Sequence, residues 1–339
     1  MIIQENISLA DKNWFRTGGN AQYFCEPSTE QEFIQATQFA QDHGLEIVVI
    51  GEGANILVSD DGISGLVIRP ALKNITIHDD QSSFHSDIIP SVVSDCVSNR
   101  IESMDSSSAT PVTVTAGAGV KMPDLINFCL DSNIIGLEEF SGIPGTVGGS
   151  VFINLHYFQY LLSQFLVKAT VIQRLTNTIH VVDCAWFNFG YNQSMLQTGD
   201  YYLVDATFAL KKVDHVQAAY AKGRRDETIR HRNQRYPASN TCGSFFRNFH
   251  IDELPFEVNG KKVPFVAYYL DKIGVKGALR MGNAVVSYQH ANMLVTQSGA
   301  TTNDVISLAQ TMQQMVKDQF GIVPQSECRF LGFKQHPLL

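Results

Sequence analysis

Three glycine-rich segments carry the first suggestion of chemistry. They are Gly51-Glu52-Gly53-Ala54-Asn55, Ala116-Gly117-Ala118-Gly119, and Ser141–Gly149, which reads SGIPGTVGG and contains Ile143, Pro144, Gly145, Thr146, Gly148 and Gly149. Each follows an apolar or strand-like run. Glycine lets backbone approach a ligand closely and take positive φ. Successive N–H groups in such turns form an anion-binding nest. Few Lys or Arg lie in these loops, so a diphosphate held there would depend on backbone donors. An ordinary tight turn accounts for any one loop alone; the order and spacing of all three favour a shared ligand. No GxxxxGK[ST] occurs, and GxGxxG is completed neither in Gly51–Ile56 nor in Gly117–Met122, so a P-loop and a Rossmann site lack support. No HExxH or GxSxG is present either.

Three further features could act on a substrate. Ser244 sits in Asn240-Thr241-Cys242-Gly243-Ser244-Phe245-Phe246, where a hydroxyl would be shielded by two phenylalanines; a plain turn serine is the other reading. Glu327, in the strand-like run Ser326-Glu327-Cys328-Arg329-Phe330, reads either as a functional carboxylate or as the ion-pair partner of Arg329. Arg224, Arg225, Arg230, Arg232 and Arg235 read as a solvated helix face or as a cationic pocket for a diphosphate.

The elements that must position these residues point to an α+β chain. Ser28-Thr29-Glu30-Gln31 has the form of a capping box, opening a helix with Phe33, Ile34, Ala36, Phe39 and Ala40 on its stripe and Gly44 at its end. Leu45–Ile50 reads as a buried strand running into the first glycine loop. Pro123 opens a helix presenting Leu125, Ile126 and Cys129. Strand-like runs are Leu66–Ile68, Val112–Thr115, Ala169–Gln173, His180–Val182 and Tyr202–Phe208. Lys211–Arg235 is helical in composition and marks a domain boundary. Thr301-Thr302-Asn303-Asp304 caps a long helix with Val305, Leu308, Ala309, Met312, Met315 and Val316 inward, closed by Gly321. Residues 79–110, with ten serines, read as a polar surface insertion. The expected division is 1–72, 73–214, 215–325, and a returning strand over 326–339.

Composition narrows the partners. The chain has 339 residues, 44% of them hydrophobic, enough for two or three cores. A net charge of -8 disfavours nucleic acid as the main partner. None of the six cysteines falls in a CxxC pair and no His/Cys cluster has metal spacing, so no metal is expected. The N-terminus lacks the pattern of a signal peptide, and the apolar stretch Tyr157–Val167 is short of the ~20 residues of a membrane span. A cytoplasmic, membrane-free protein is expected, and a monomer.

Taken together, these segments resemble the UDP-N-acetylenolpyruvoylglucosamine reductase family, over nearly the whole chain and in order. Asn13-Trp14-Phe15-Arg16-Thr17-Gly18-Gly19 resembles its opening motif, and Gly51–Asp60, Ala116–Gly119 and Ile135–Gly149 its three FAD loops. Cys242–Asn248 resembles its catalytic serine segment, and His290-Ala291-Asn292 and Glu327-Cys328-Arg329 its C-terminal signatures. The resemblance implies a vanillyl-alcohol-oxidase-type FAD-binding fold of two α+β subdomains plus a C-terminal α+β substrate domain. It implies non-covalent FAD, NADPH as hydride donor, hydride delivery to the enolpyruvyl C3 of a nucleotide-sugar substrate, and protonation at C2. Ser244 then falls at the general acid and Glu327 at the carboxylate near the substrate carboxyl group. Tyr191, Asn248 and His290 would face the substrate, and Arg235 its diphosphate. Gly51, Glu52, Gly53, Ala54, Asn55, Ala116, Gly117, Gly119, Ile143, Pro144, Gly145, Thr146, Gly148, Gly149 and Asn154 would hold the cofactor.

The sequence also departs from the family. Where the family reads Phe-Gly-Tyr-Arg, with the arginine polarising the substrate carboxylate, this chain reads Phe189-Gly190-Tyr191-Asn192. An amide in that catalytic position lacks the charge, a loss of about 2.7–4 kcal/mol by analogy with single oxyanion-hole donors. Arg247 and Lys276 are candidate substitutes. The family's Asn-Ala-Gly-Ala-Tyr-Gly is here Asn154-Leu155-His156-Tyr157-Phe158-Gln159, with both glycines lost. Residues 249–265 add a segment, and the short interval from Tyr191 to Ser244 points to a subtype without a substrate-capping tyrosine loop. The expected function is NADPH-dependent reduction of UDP-N-acetylglucosamine enolpyruvate to UDP-N-acetylmuramate for peptidoglycan. The alternatives are a same-fold FAD oxidoreductase with a changed substrate and a catalytically inactive flavin-binding homologue.

Overall fold

The computed structural model describes residues 1–78 and 109–338. The expected polar insertion lies almost wholly outside them. In chain order the elements are β1 (Gln4–Ser8), β2 (Asn20–Cys25), α1 (Glu30–Asp42), β3 (Ile47–Val49), β4 (Ile56–Val58), β5 (Ile63–Ile68), β6 (Ile75–His78) and β7 (Thr110–Gly117). Then come α2 (Met122–Asp131), β8 (Ile134–Ile135), α3 (Val147–Phe152), β9 (His156–Tyr157), β10 (Tyr160–Leu161), β11 (Leu166–Gln173), β12 (Ile179–Asp183), β13 (Tyr201–Lys212) and α4 (His215–Arg235). The chain ends with α5 (Val266–Lys272), β14 (Arg280–Met281), β15 (Ala284–Val286), β16 (Leu294–Thr296), α6 (Thr302–Phe320) and β17 (Arg329–Leu331). This is an α+β chain.

It forms two compact units. One comprises Met1–Ile3, Cys25–Glu52 and Ile68–His231; the other comprises Gln4–Phe24, Gly53–Val67 and Arg232–Leu339. The stretches expected from the sequence are continuous along the chain, whereas these units interleave, because two N-terminal pieces belong with the C-terminal third.

The first unit is built on the sheet β12-β11-β13-β7-β6, with β8 also paired to β13. β13 is its central, twelve-residue strand, antiparallel to both β11 and β7. Val112, Val114, Ala116, Ala206 and Phe208 bury one sheet face against Leu125, Ile126, Cys129 and Leu130 of α2 and Val147 and Val151 of α3. Pro123 is tolerated at the start of α2 because the first amides of a helix have no intrahelical acceptor.

The second unit contains the strands β1-β2-β5, the parallel pair β4–β17 and the meander β14-β15-β16. Its core surrounds α6, whose Val305, Leu308, Ala309, Met312 and Val316 are buried. Thr301 and Asp304 close a reciprocal capping box, side-chain oxygen to backbone N–H at 3.1 Å each way. Gly321 ends α6 at φ 69°. Gln313 is buried among these apolar residues and donates to the Pro324 carbonyl at 2.6 Å.

Four local expectations are corrected. The cap of α1 is Thr29, which accepts the Glu32 N–H at 3.2 Å, while the Glu32 carboxylate accepts from the Ser28 amide and hydroxyl; the capping pattern is one residue later than Ser28–Gln31. Leu45–Ile50 shortens to Ile47–Val49 and is only half-buried, with Val49 exposed. Lys211 and Lys212 do not start a helix; they extend β13, paired with Pro111 and Thr110. Ser326 makes an isolated bridge to Phe246, and the strand starts only at Arg329.

Candidate active site

In the first unit the second and third glycine segments are zipped together. The Val147 N–H donates to the Val120 carbonyl at 2.8 Å, Gly148 to Ala118 at 2.9 Å, and Met122 to Gly145 at 2.9 Å. A Cβ on Gly117 would lie 2.4 Å from the Leu72 carbonyl oxygen, and one on Gly119 2.3 Å from that of Pro70. Those two glycines are therefore required by close packing inside the protein. Gly145 differs: its φ is 134° and nothing within the described residues comes closer to its added Cβ than Ser150 Oγ at 4.0 Å. It presents an open side.

Glu52 ties this arrangement together. One carboxylate oxygen accepts the Gly145 N–H at 3.0 Å and the other meets Lys121 Nζ at 2.7 Å. The Glu52 carboxylate holds the Lys121 ammonium above its usual range. Thr146 caps α3, its hydroxyl accepting the Gly149 N–H at 3.2 Å.

Two observations bear on what these loops hold. Among the described residues, none of the five N–H groups of Gly51–Asn55 has an acceptor. Ser141 Oγ, at the head of the third segment, is buried without a hydrogen-bond partner. Unused backbone donors and an orphaned hydroxyl are groups that normally find a partner. Backbone donors of this kind suit an anionic ligand.

Farther along the same unit, Asn154 is buried in the left-handed region. Its Nδ2 donates to the Gly190 carbonyl at 3.3 Å, and its Oδ1 accepts the Ser163 N–H at 3.0 Å. This places Tyr191 and Asn192 beside the 154–157 segment; the His156 and Tyr191 rings lie 4.8 Å apart. Asn192 occupies the left-handed region at φ 54°.

In the second unit, Ser244 and Glu327 are brought together by backbone. The Phe245 carbonyl accepts the Glu327 N–H at 2.8 Å, and the Arg247 N–H donates to the Gln325 carbonyl at 2.9 Å. Ser244 is half-buried beside fully buried Phe245 and Phe246, and its hydroxyl has no partner among the described residues. The residue that fixes this segment stands in the His290-Ala291-Asn292 signature, where the sequence assigned no role to Asn292. Buried Asn292 accepts the Phe246 N–H at 3.0 Å and donates to the Phe246 carbonyl at 2.7 Å, imitating a strand pair with one side chain.

His290 is joined to Arg235 through Tyr236. Its Nδ1 accepts the Asn292 N–H at 3.2 Å, leaving Nε2 to carry the proton of the neutral ring, and the ring lies 5.5 Å from Tyr236. Burial holds His290 below the usual imidazole range; Arg235 and Lys276 push the same way and Asp271 opposes. Both Arg232 and Arg235 lie over the Tyr236 ring, at 5.1 and 5.7 Å. The other three arginines of the cluster are engaged by carboxylates: Arg224 by Glu138 and Glu139, Arg225 by Asp226, Arg230 by Glu227. Asn248 is exposed and its Oδ1 accepts the Val266 N–H at the start of α5, which leaves its amide nitrogen free to donate. Arg247 does not stand in for the missing arginine without leaving Glu253, which it grips through two nitrogens at 2.8 and 2.5 Å.

A family model described as UDP-N-acetylenolpyruvoylglucosamine reductase, C-terminal domain, matches residues 234–331. A UDP-N-acetylenolpyruvoylglucosamine reductase of Lactobacillus delbrueckii subsp. bulgaricus is 30% identical over 335 residues, covering 97% of this chain and 95% of that protein. One from Lactobacillus johnsonii is 31% identical over 333 residues, with the same coverage of each. The crystal structure of the Thermus caldophilus UDP-N-acetylenolpyruvylglucosamine reductase superposes with a TM-score of 0.70 at 24% identity, over 97% of this chain and all of that one, and shows the shared fold.

Proposed function

The chain belongs to the UDP-N-acetylenolpyruvoylglucosamine reductase family, and from that premise we propose that it reduces UDP-N-acetylglucosamine enolpyruvate to UDP-N-acetylmuramate with NADPH, through bound FAD. In the first unit, the unused amides of Gly51 and Glu52 and the orphaned Ser141 hydroxyl fit the FAD diphosphate and its polar surroundings. Gly145 and Gly149 would leave room for it, and Glu52 would act at one remove by holding the Gly145 loop. FAD, when bound, supplies the hydride.

The protein's part is to position the substrate and manage charge and proton. The single observation carrying this reading is an unpartnered Ser244 hydroxyl in a segment whose next residue, Phe245, accepts the Glu327 N–H and which the Asn292 clamp holds. An aliphatic hydroxyl is a weak acid, so it suits protonation of a strongly basic carbon such as the enolpyruvyl C2 after hydride arrival. Glu327 would stabilise the developing enolate only when protonated or hydrogen-bonded, since two like charges repel. Arg235, held over Tyr236, supplies a cation for the substrate diphosphate, and the Nε2–H of neutral His290 a donor. A changed substrate within the same chemistry is the second reading, favoured by uncharged Asn192.

Stopped-flow half-reactions test the assignment. Ser244→Ala should let NADPH reduce the flavin at the wild-type rate, while reoxidation by the enolpyruvyl substrate falls about 10²–10⁴-fold. Unchanged reoxidation would reject Ser244 as the acid.

A further inference from the structure

Within the first unit, three separate stretches of chain meet around one carboxylate. The loop at Gly51 and Glu52 packs against Thr146, so closely that a Cβ on Gly51 would lie 2.6 Å from the Thr146 hydroxyl. Lys121, which precedes α2, forms an isolated antiparallel bridge with Thr146. Glu52 Oε2 accepts the Gly145 N–H at 3.0 Å, and Glu52 Oε1 meets Lys121 Nζ at 2.7 Å. The carboxylate therefore fixes the Gly145 loop, and it does so beside the unused amides of Gly51 and of Glu52 itself. A negative charge one residue from amides that suit an anion would repel that anion. The Glu52 side chain is only 23% exposed, so water screens this repulsion incompletely. Among the described residues the other charged neighbours of Lys121 are Asp124 and Arg69, and Arg69 is itself held by Glu26 at 2.6 Å.

We infer that Lys121 is the counter-charge that makes the Glu52-braced loop a site for a diphosphate. Its ammonium cancels the Glu52 charge, so the Gly51 and Glu52 amides can face an anion while the carboxylate keeps its grip on Gly145. Lys121 is thus a positioning residue, acting through Glu52. The inference rests on the proposed function, in which the FAD diphosphate lies at these amides. A half-exposed ion pair of this kind contributes little to stability. Its effect belongs to ligand affinity, because the charge it removes stands beside the place where the ligand's own charge arrives.

A double-mutant cycle on FAD affinity separates this role from packing and from direct contact with the phosphates. Purified holoprotein is diluted in series, and released flavin, followed by its fluorescence, gives the Kd. Lys121→Met keeps the apolar stem and removes the charge; its Kd for FAD should rise about ten- to a hundredfold. Lys121→Arg, which keeps the charge, should bind FAD as wild type does. Glu52→Gln keeps an acceptor for the Gly145 N–H. Added to Lys121→Met, it should bring the Kd back to within about threefold of wild type. An unchanged Kd in Lys121→Met overturns the inference and leaves FAD binding standing. A double variant as weak as Lys121→Met also overturns it, since the ammonium would then act on the phosphates and not on Glu52. A wild-type protein that holds no FAD overturns the inference together with the reading on which it rests. Should Lys121→Met emerge without flavin, the double variant decides: flavin retained there supports the counter-charge role, and flavin absent contradicts it.

Discussion

Asn292 has no acid or charge to offer, yet it sets where the reacting hydroxyl sits. Both ends of its amide bond to the Phe246 backbone, two residues after Ser244, in a buried site. Asn292→Ala should cost about 2–4 kcal/mol, since it leaves a buried N–H and C=O unsatisfied. Denaturant titration measures that loss; a cost under about 1 kcal/mol would mean water replaces the side chain. The sequence singles out Ser244 and Glu327 as candidates through the motifs they stand in. It could not disclose the clamp: Asn292 stands in a recognisable signature, but the Phe246 backbone it meets lies 46 positions away. The same limit applies to Glu52, which reads as part of a glycine loop but works as the acceptor that holds another loop.

At the scale of elements, local signals were read well where they are self-contained. Thr301–Asp304, Gly321 and the apolar stripe defined α6 because cap, stop and periodicity lie in one stretch. The signals failed where tertiary pairing decides. Lys211 and Lys212 are charged, but β7 offers them strand partners and the helix waits until His215. The added segment after residue 249 is anchored by Glu253, which meets Arg247 and accepts the His250 N–H at 2.8 Å. Arg247 above all pulls the Glu253 carboxyl down to about 2 from an ordinary 4.5. A depressed carboxylate contributes stability that is present above the unfolded pKa and lost as pH falls through the folded one. The advantage of wild type over Glu253→Gln in melting temperature should therefore be full above pH 4.5 and vanish as pH falls from 4.5 towards 2. A constant difference across that range would show that the ion pair is not the anchor.

At the scale of the whole molecule, an acidic chain assigns its anionic ligands to few cations. The glycine loops offer amides instead of lysines, and three of the five clustered arginines are engaged by carboxylates, while Arg232 and Arg235 lie over the Tyr236 ring. Among the described residues no helix is long and apolar enough to cross a membrane. The five described cysteines are free thiols, and burial pushes Cys25 and Cys129 up to about 12, out of the reactive range. The interleaved units were not legible, because which distant segments pack together depends on surfaces no single stretch contains. The reductase reading itself is tested most directly by isotope. The purified protein, turned over anaerobically in D₂O with NADPH and UDP-N-acetylglucosamine enolpyruvate, should yield UDP-N-acetylmuramate with solvent deuterium at C2, and at C3 to the extent that the N5–H of the reduced flavin exchanges first, consuming one NADPH per product. NADPH consumption without that product, or no flavin in the purified protein, would contradict it.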